Sequence, residues 1–177
     1  MGGGTEVTGN HLGVKRIPVV KGQALAAYDP RSLKGTGVTY AISPMGADHT
    51  AGNTLGDPTV NPYDKEGQVS LSVNLQIAMA TFDNLGMCIF SGFCTAESEN
   101  VGHLLDMMTG RFGGEWTPER LFGLGVETLA MERKFNKEAG FTEADDRLPE
   151  FMYEEALAPH DTVFDVEQTA LNQAFPF

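Results

Sequence analysis

The stretch Thr117-Pro118-Glu119-Arg120-Leu121-Phe122-Gly123-Leu124-Gly125-Val126-Glu127-Thr128-Leu129, continuing to Phe135 and closed by Gly140, decides the fold class. Threonine before proline is a helix start. The hydroxyl caps the first amides, and proline suits the first helical position, where its missing N–H removes a donor that has no partner anyway. Apolar residues recur at Leu121, Phe122, Leu124, Val126, Leu129, Met131 and Phe135. The spacing predicts a long helix from near Thr117 to near Lys137. Gly123 and Gly125 each cost a helix about 1 kcal/mol relative to alanine. Such glycines are accounted for where a neighbour packs tightly against the helix.

Upstream, Val69 to Phe82 carries Val73, Ile77 and Ala80 on one face, widened by Leu71, Leu75 and Phe82, and reads as a second helix. A third spans Val101 to Met108, entered through Ser98-Glu99-Asn100 and ending at Thr109-Gly110. A short helix fits Leu33 to Ile42, with Gly35 and Gly37 allowing close packing. Between them lies a long irregular segment, 43–66, broken by Pro44, Gly46, Gly56, Pro58 and Pro62. Long loops inside compact domains are uncommon and often functional. Residues 1–30 are rich in glycine and proline and extended near Ile17 to Val20. The acidic tail beyond Phe141 is expected to be loops with one short helix. The fold class is therefore all-α.

Charge narrows the partners. Acidic residues number 24 against 12 Lys and Arg, a formal charge of −12, which argues against nucleic acid or an anionic membrane as partner. No apolar run is long enough for a membrane span, and the start is not a signal peptide. With two cysteines, Cys88 and Cys94, the chain is no secreted disulfide scaffold, and a cytoplasmic setting is expected.

Chemistry concentrates in two places. Asp83-Asn84-Leu85-Gly86-Met87-Cys88 presents a carboxylate, a turn-forming glycine and a thiol at a helix end. The thiolate can ligate a metal and the carboxylate can accept from an amino-substituted heterocycle. By spacing alone the same residues also read as a structural turn with a buried free cysteine. Two cysteines cannot complete an iron–sulfur or structural zinc site, so any further ligands lie elsewhere. The second place is Gly46-Ala47-Asp48-His49-Thr50, where His49 is a candidate general acid or base. A surface histidine paired with Asp48 is the plainer reading of that loop.

Taken in order, Val20-Lys21-Gly22-Gln23, Ala27 to Arg31, Gly35 to Ala41, Gly46 to His49 and Asp83 to Cys88 resemble the tungsten-dependent aldehyde ferredoxin oxidoreductase family. So do Glu132-Arg133-Lys134-Phe135-Asn136 and Asp145-Asp146-Arg147-Leu148-Pro149. The likeness runs from about Val19 to Pro149 and is to the helical domains 2 and 3. It implies that residues 1–66 end the second helical domain, with its long irregular loop, and that 67–177 form the C-terminal helical domain. It implies oxidation of an aldehyde to a carboxylic acid at a tungstopterin or molybdopterin, with electrons leaving through one 4Fe-4S cluster to ferredoxin. By the same resemblance Cys88 is the fourth cluster ligand, Asp83 and Met87 contact the pterin, and His49 donates or accepts a proton near the metal. The remaining ligands and half the pterin site belong to an N-terminal pterin- and cluster-binding domain, so this chain alone is expected to hold no cofactor and to be inactive. Asp83 and His49 are expected to line one pocket, and Cys88 to be accessible. A homodimer is compatible with the likeness.

Two of the chain's departures from the family pattern fall at the candidate site residues. Met87 stands where leucine is usual, a swap of similar volume, and Met45-Gly46-Ala47-Asp48-His49 stands where Arg-Gly-Ala-Cys-His is commoner. The second leaves a non-aldehyde substrate open, and a stand-alone helical binding or scaffold module is the alternative from another class.

Overall fold

The computed structural model describes residues 2–95 and 100–177. Among them are eight α-helices, α1 (Gly4–His11), α2 (Lys34–Ile42), α3 (Gln68–Asn84), α4 (Ile89–Thr95), α5 (Val101–Phe112), α6 (Pro118–Glu138), α7 (Phe151–Glu154) and α8 (Gln168–Asn172). The only sheet among the described residues is a two-residue hairpin, β1 (Val19–Val20) against β2 (Gln23–Ala24), antiparallel with Val19 opposite Ala24. The fold is all-α.

The centre is α2. All nine of its residues are buried, Val38, Tyr40, Ala41 and Ile42 with no exposed surface. Its glycines permit this. A Cβ on Gly35 would lie 2.5 Å from Gln68 Oε1, and one on Gly37 would lie 2.7 Å from the Phe164 ring. α3, α8 and the tail around Leu148, Met152 and Phe164 close over it to make the main core.

Burying a helix end strands its last carbonyls unless something donates to them. Here Lys21 Nζ donates to Ala41 O at 2.6 Å and Arg133 Nη1 to Ile42 O at 2.9 Å. Both cations pair with Asp146, at 2.6 and 3.0 Å. Placing positive charge at this end also complements the helix dipole. Asn136 Nδ2 continues the clasp to Pro44 O at 2.8 Å.

The long segment 43–66 is irregular but not loose. Thr39 Oγ1 donates to Gly52 O at 2.6 Å, Thr54 N to Thr36 Oγ1 at 3.1 Å, and Gln68 Nε2 to Asn61 O at 2.7 Å. Polar residues on a buried helix therefore take the place of a second strand or helix in ordering the loop.

α6 begins as its sequence requires, with Thr117 Oγ1 accepting from Arg120 N and Pro118 in the first turn. It packs chiefly on α3. At their crossing a Cβ on Gly125 would collide with Ile77 O and the Thr81 hydroxyl, whereas one on Gly123 would meet nothing within 4 Å. Close packing thus accounts for Gly125 only. Of the apolar residues expected to face inward, Leu121 and Leu129 are buried, but Met131 and Phe135 are exposed.

α5 overruns its expected end by a turn. Gly110 sits within it without crowding anything, and Gly113, at φ +71°, is the glycine that stops it. Ser98 and Glu99, the expected entry to α5, lie outside the described residues. The tail carries two short helices, α7 and α8, where one was expected. α1 falls where glycine content suggested irregular chain; none of its residues is buried. No helix among the described residues is long and apolar enough to cross a membrane.

Candidate functional site

The end of α3 explains why Asp83, Gly86, Met87 and Cys88 are spaced as they are. Gly86 adopts φ +67°, left-handed and cheap for glycine. Its N–H donates to Asp83 O at 3.0 Å, and Met87 N–H reaches back to Phe82 O at 2.9 Å. These two bonds satisfy carbonyls that the helix end would otherwise leave open, and they bring Met87 against Phe82, as this type of cap commonly does. Phe82 is 1% exposed and Met87 packs half-buried beside it in the second apolar cluster, with Leu104, Met108 and Leu121.

Anchoring Met87 turns the next residue outward. Cys88 is a free, exposed thiol, and its carbonyl accepts from Ser91 N and Gly92 N at 2.9 and 3.0 Å to open α4. The accessible thiol that a ligand role demands is present, and the buried cysteine is not. Cys94 is also free and exposed, so exposure alone does not separate the two.

Asp83 lines a cavity of about 240 Å³ in the groove between α3 and α6. Gln76, Ala80 and Asp83 form one wall, Leu129 and Glu132 the other, and Met45 overhangs from the loop. Glu132 faces Asp83 closely enough that burial and the Asp83 charge raise its carboxyl above the usual range. Sequence reading did not single out Gln76 or Glu132. The signal was there, since positions seven apart on α3 share a face, but apolar periodicity hid it.

His49 is placed differently. It starts a 3-10 turn, His49–Ala51, capped by Asp48, whose Oδ1 accepts from Thr50 N and Oγ1, both at 2.8 Å. Its ring lies 5.4 Å from that of Tyr28, and its Nδ1 is 3.9 Å from Asp48 Oδ1. Ala51 of the same turn reaches the Asp83 cavity, but His49 is not among the residues that wall it. The structure brings Asp83, Met87 and Cys88 together at one helix end and leaves His49 on a neighbouring turn. Among the described residues no three His, Cys, Asp or Glu side chains come together to hold a metal ion.

The residues fit the group that the resemblance implies. Asp83 is an exposed acceptor beside a cavity, and Cys88 is an outward thiol one short turn away.

The family model "Aldehyde ferredoxin oxidoreductase, domains 2 & 3" matches residues 1–174. A tungsten-containing aldehyde ferredoxin oxidoreductase of Pyrococcus furiosus is 30% identical over 146 residues, covering 78% of this chain and 24% of that protein. Its counterpart in Pyrococcus horikoshii is 29% identical over 163 residues, 88% of this chain and 26% of that protein. The Thermococcus kodakarensis protein is 30% identical over 146 residues, again 78% and 24%. The chain thus spans about a quarter of the length of these relatives.

Proposed function

The chain belongs to the aldehyde ferredoxin oxidoreductase family, and from that premise we propose that it is the C-terminal part of an enzyme oxidising an aldehyde to a carboxylic acid. The observation that carries this reading is the end of α3, where one left-handed cap presents Asp83, Met87 and Cys88 together. Residues 1–66 then end the second helical domain and 67–177 form the third, with α2 and α3 contributing to a common core.

In this reading a tungstopterin, or its molybdenum counterpart, supplies the two-electron chemistry when bound, and a 4Fe-4S cluster carries the electrons to ferredoxin. The chain's own residues hold and orient. Asp83 accepts from the pterin's amino group, since a carboxylate offers lone pairs to paired N–H donors. Met87, pinned on Phe82, sets a firm apolar edge beside it. Cys88 reaches out as thiolate to the cluster, whose other ligands come from an N-terminal domain. His49 moves a proton at its imidazole, and its turn is held by Asp48; that use of Asp48 gives the unusual Asp48-His49 pair a structural reason.

The test is iron and pterin content of the complete enzyme formed when this chain is joined to an N-terminal pterin- and cluster-binding portion. Iron, pterin and tungsten in the complex, with aldehyde-dependent reduction of ferredoxin, are the expected result. An assembled complex without pterin or iron would overturn it, and would favour a stand-alone binding module. Pterin and iron present, but with no aldehyde oxidised, would point to another substrate.

A further inference from the structure

One face of α6 carries more positive charge than the fold uses. Ala130, Arg133, Lys134 and Lys137 recur at helical spacing and so share a face. That face walls a cavity of about 740 Å³, bounded opposite by Asp146, Asn172 and Phe177, with Lys21 at its floor. Four of the chain's twelve Lys and Arg therefore meet at one cleft, in a protein of formal charge −12. The cavity beside Asp83 is the reverse case, with two carboxyl groups and no cation.

The carboxylates at the cleft do not balance these cations. Lys21 and Arg133 share the one carboxylate of Asp146, at 2.6 and 3.0 Å, and also donate to the carbonyls of Ala41 and Ile42. The Lys21 side chain is 4% exposed and that of Arg133 24%, so this trio keeps a net positive charge where water screens it poorly. Glu143, the second carboxylate at the cleft, accepts from Asn172 Nδ2 at 2.7 Å and meets no cation among the described residues. Lys134 lies 3.9 Å from Glu138, the limit of an ion pair, and Lys137 has no carboxylate partner among the described residues. The helix dipole favours a cation in the last turn only, which accounts for Lys137 alone. Beside the charge stands an aromatic wall. The Arg133 guanidinium is 5.0 Å from the Phe175 ring centroid, the Phe175 and Phe177 rings are 5.3 Å apart, and Phe141 and Phe177 line the cleft. Its volume is in the range of a small-molecule site.

We propose that this cleft binds a small organic anion, an acidic group carried on a flat apolar body. The acidic group lies between Arg133 and the ammonium groups of Lys134 and Lys137, where it offsets the excess charge. The body lies along Phe141 and Phe177. A bare inorganic anion leaves that aromatic wall in water, and a neutral ring leaves the cations unmatched, so the cleft selects for both features together. Asp146 fixes where the charge goes. Its carboxylate already occupies the floor beside Lys21, and its repulsion holds a second anion at the lysine side of the cleft. The cleft shares only Pro44 with the cavity at Asp83, so this site stands or falls apart from the function proposed above.

Titration of the full 177-residue chain with benzoate, benzamide and inorganic phosphate tests the charge and the ring separately. Calorimetry gives the affinities and amide-resolved NMR spectra give the place. Benzoate should bind about tenfold more tightly than benzamide, as expected for two partly solvated charge contacts, and more tightly than phosphate. It should shift the amides of Gly140, Phe141 and Asn172. Replacing both lysines, Lys134→Gln with Lys137→Gln, should weaken benzoate about tenfold; both are exposed, so the fold is not at risk. Phe177→Ala should weaken it about threefold through the lost ring contact. Lys65→Gln, exposed, paired with Glu167 and away from the cleft, should bind as the parent does. Benzamide binding as well as benzoate would remove the charge from the proposal, and phosphate binding as well would remove the ring; either result overturns it. So does an unchanged affinity in the double lysine variant, a set of shifts elsewhere in the chain, or no shift up to the solubility limit of benzoate.

Discussion

Asp146 holds two cations at once inside the molecule, Lys21 and Arg133, so a change there leaves both without their carboxylate. Lys21 and Asp146 are 4% and 7% exposed at their side chains. Burial pulls the Lys21 ammonium below its usual pKa, and the hydrogen bond and charge of Asp146 oppose that pull. Removing one partner of a buried pair leaves an uncompensated charge, a loss of roughly 3–5 kcal/mol. Asp146→Asn should therefore lower the urea midpoint strongly, with Lys21 still needing a partner; a change below about 1 kcal/mol would mean that water has replaced the carboxylate. Glu132 offers the opposite case. Its carboxyl titrates higher in the fold than in the open chain, so the folded state binds the extra proton and stability falls as pH rises through that interval. Glu132→Gln removes the effect. Its melting temperature should exceed the parent's by about 1–2 °C near pH 7, scaled down because the group is partly exposed. Below the ordinary glutamate range near pH 4 the two should coincide. Equal gains at both values would place the cause in packing.

At the scale of elements, the two glycines of α6 make a clean contrast. Gly125→Ala drives a methyl into Ile77 O at the α3 crossing and should cost about 1–3 kcal/mol. Gly123→Ala meets nothing and should stabilise by about 0.5–1 kcal/mol through helix propensity. Chemical denaturation of both variants checks the crossing, and similar effects would mean that the helices do not meet there. How far such features could be read beforehand depends on what betrays them. α6 announced itself because Thr117 and Pro118 are local signals, complete in sequence. The cap after α3 was equally visible, since only glycine at Gly86 turns so cheaply. α1 gave no sign because nothing on it is buried, and Gly2 to Gly4 read as irregular chain. Met131 and Phe135 continued the apolar pattern of α6, yet stand 64% and 70% exposed. Periodicity reports apolar positions and is silent on whether this chain or a partner covers them. Glu132 escaped notice for the converse reason: a polar residue facing a groove looks, in sequence, like one facing water.

For the whole molecule, accessibility and assembly can be tested together. In the chain alone both thiols are exposed, and a maleimide should label Cys88 and Cys94 alike. In the complete enzyme Cys88 should be protected by cluster iron while Cys94 still reacts. Cys88→Ala should lose iron there and Cys94→Ala retain it; loss from the second alone would show that the wrong thiol had been chosen. The central position of α2 bears on how the molecule breathes. A helix with all nine residues buried cannot trade its amide protons for deuterium by fraying, and exchange has to wait for the whole chain to open. Amides of α1, with no buried residue, should exchange within the first time points. Thr36 and Thr39 fasten segment 43–66 to that slowest-exchanging helix. The turn carrying His49 is therefore moored to the part of the molecule that opens most rarely, and its shape survives for as long as the protein stays folded.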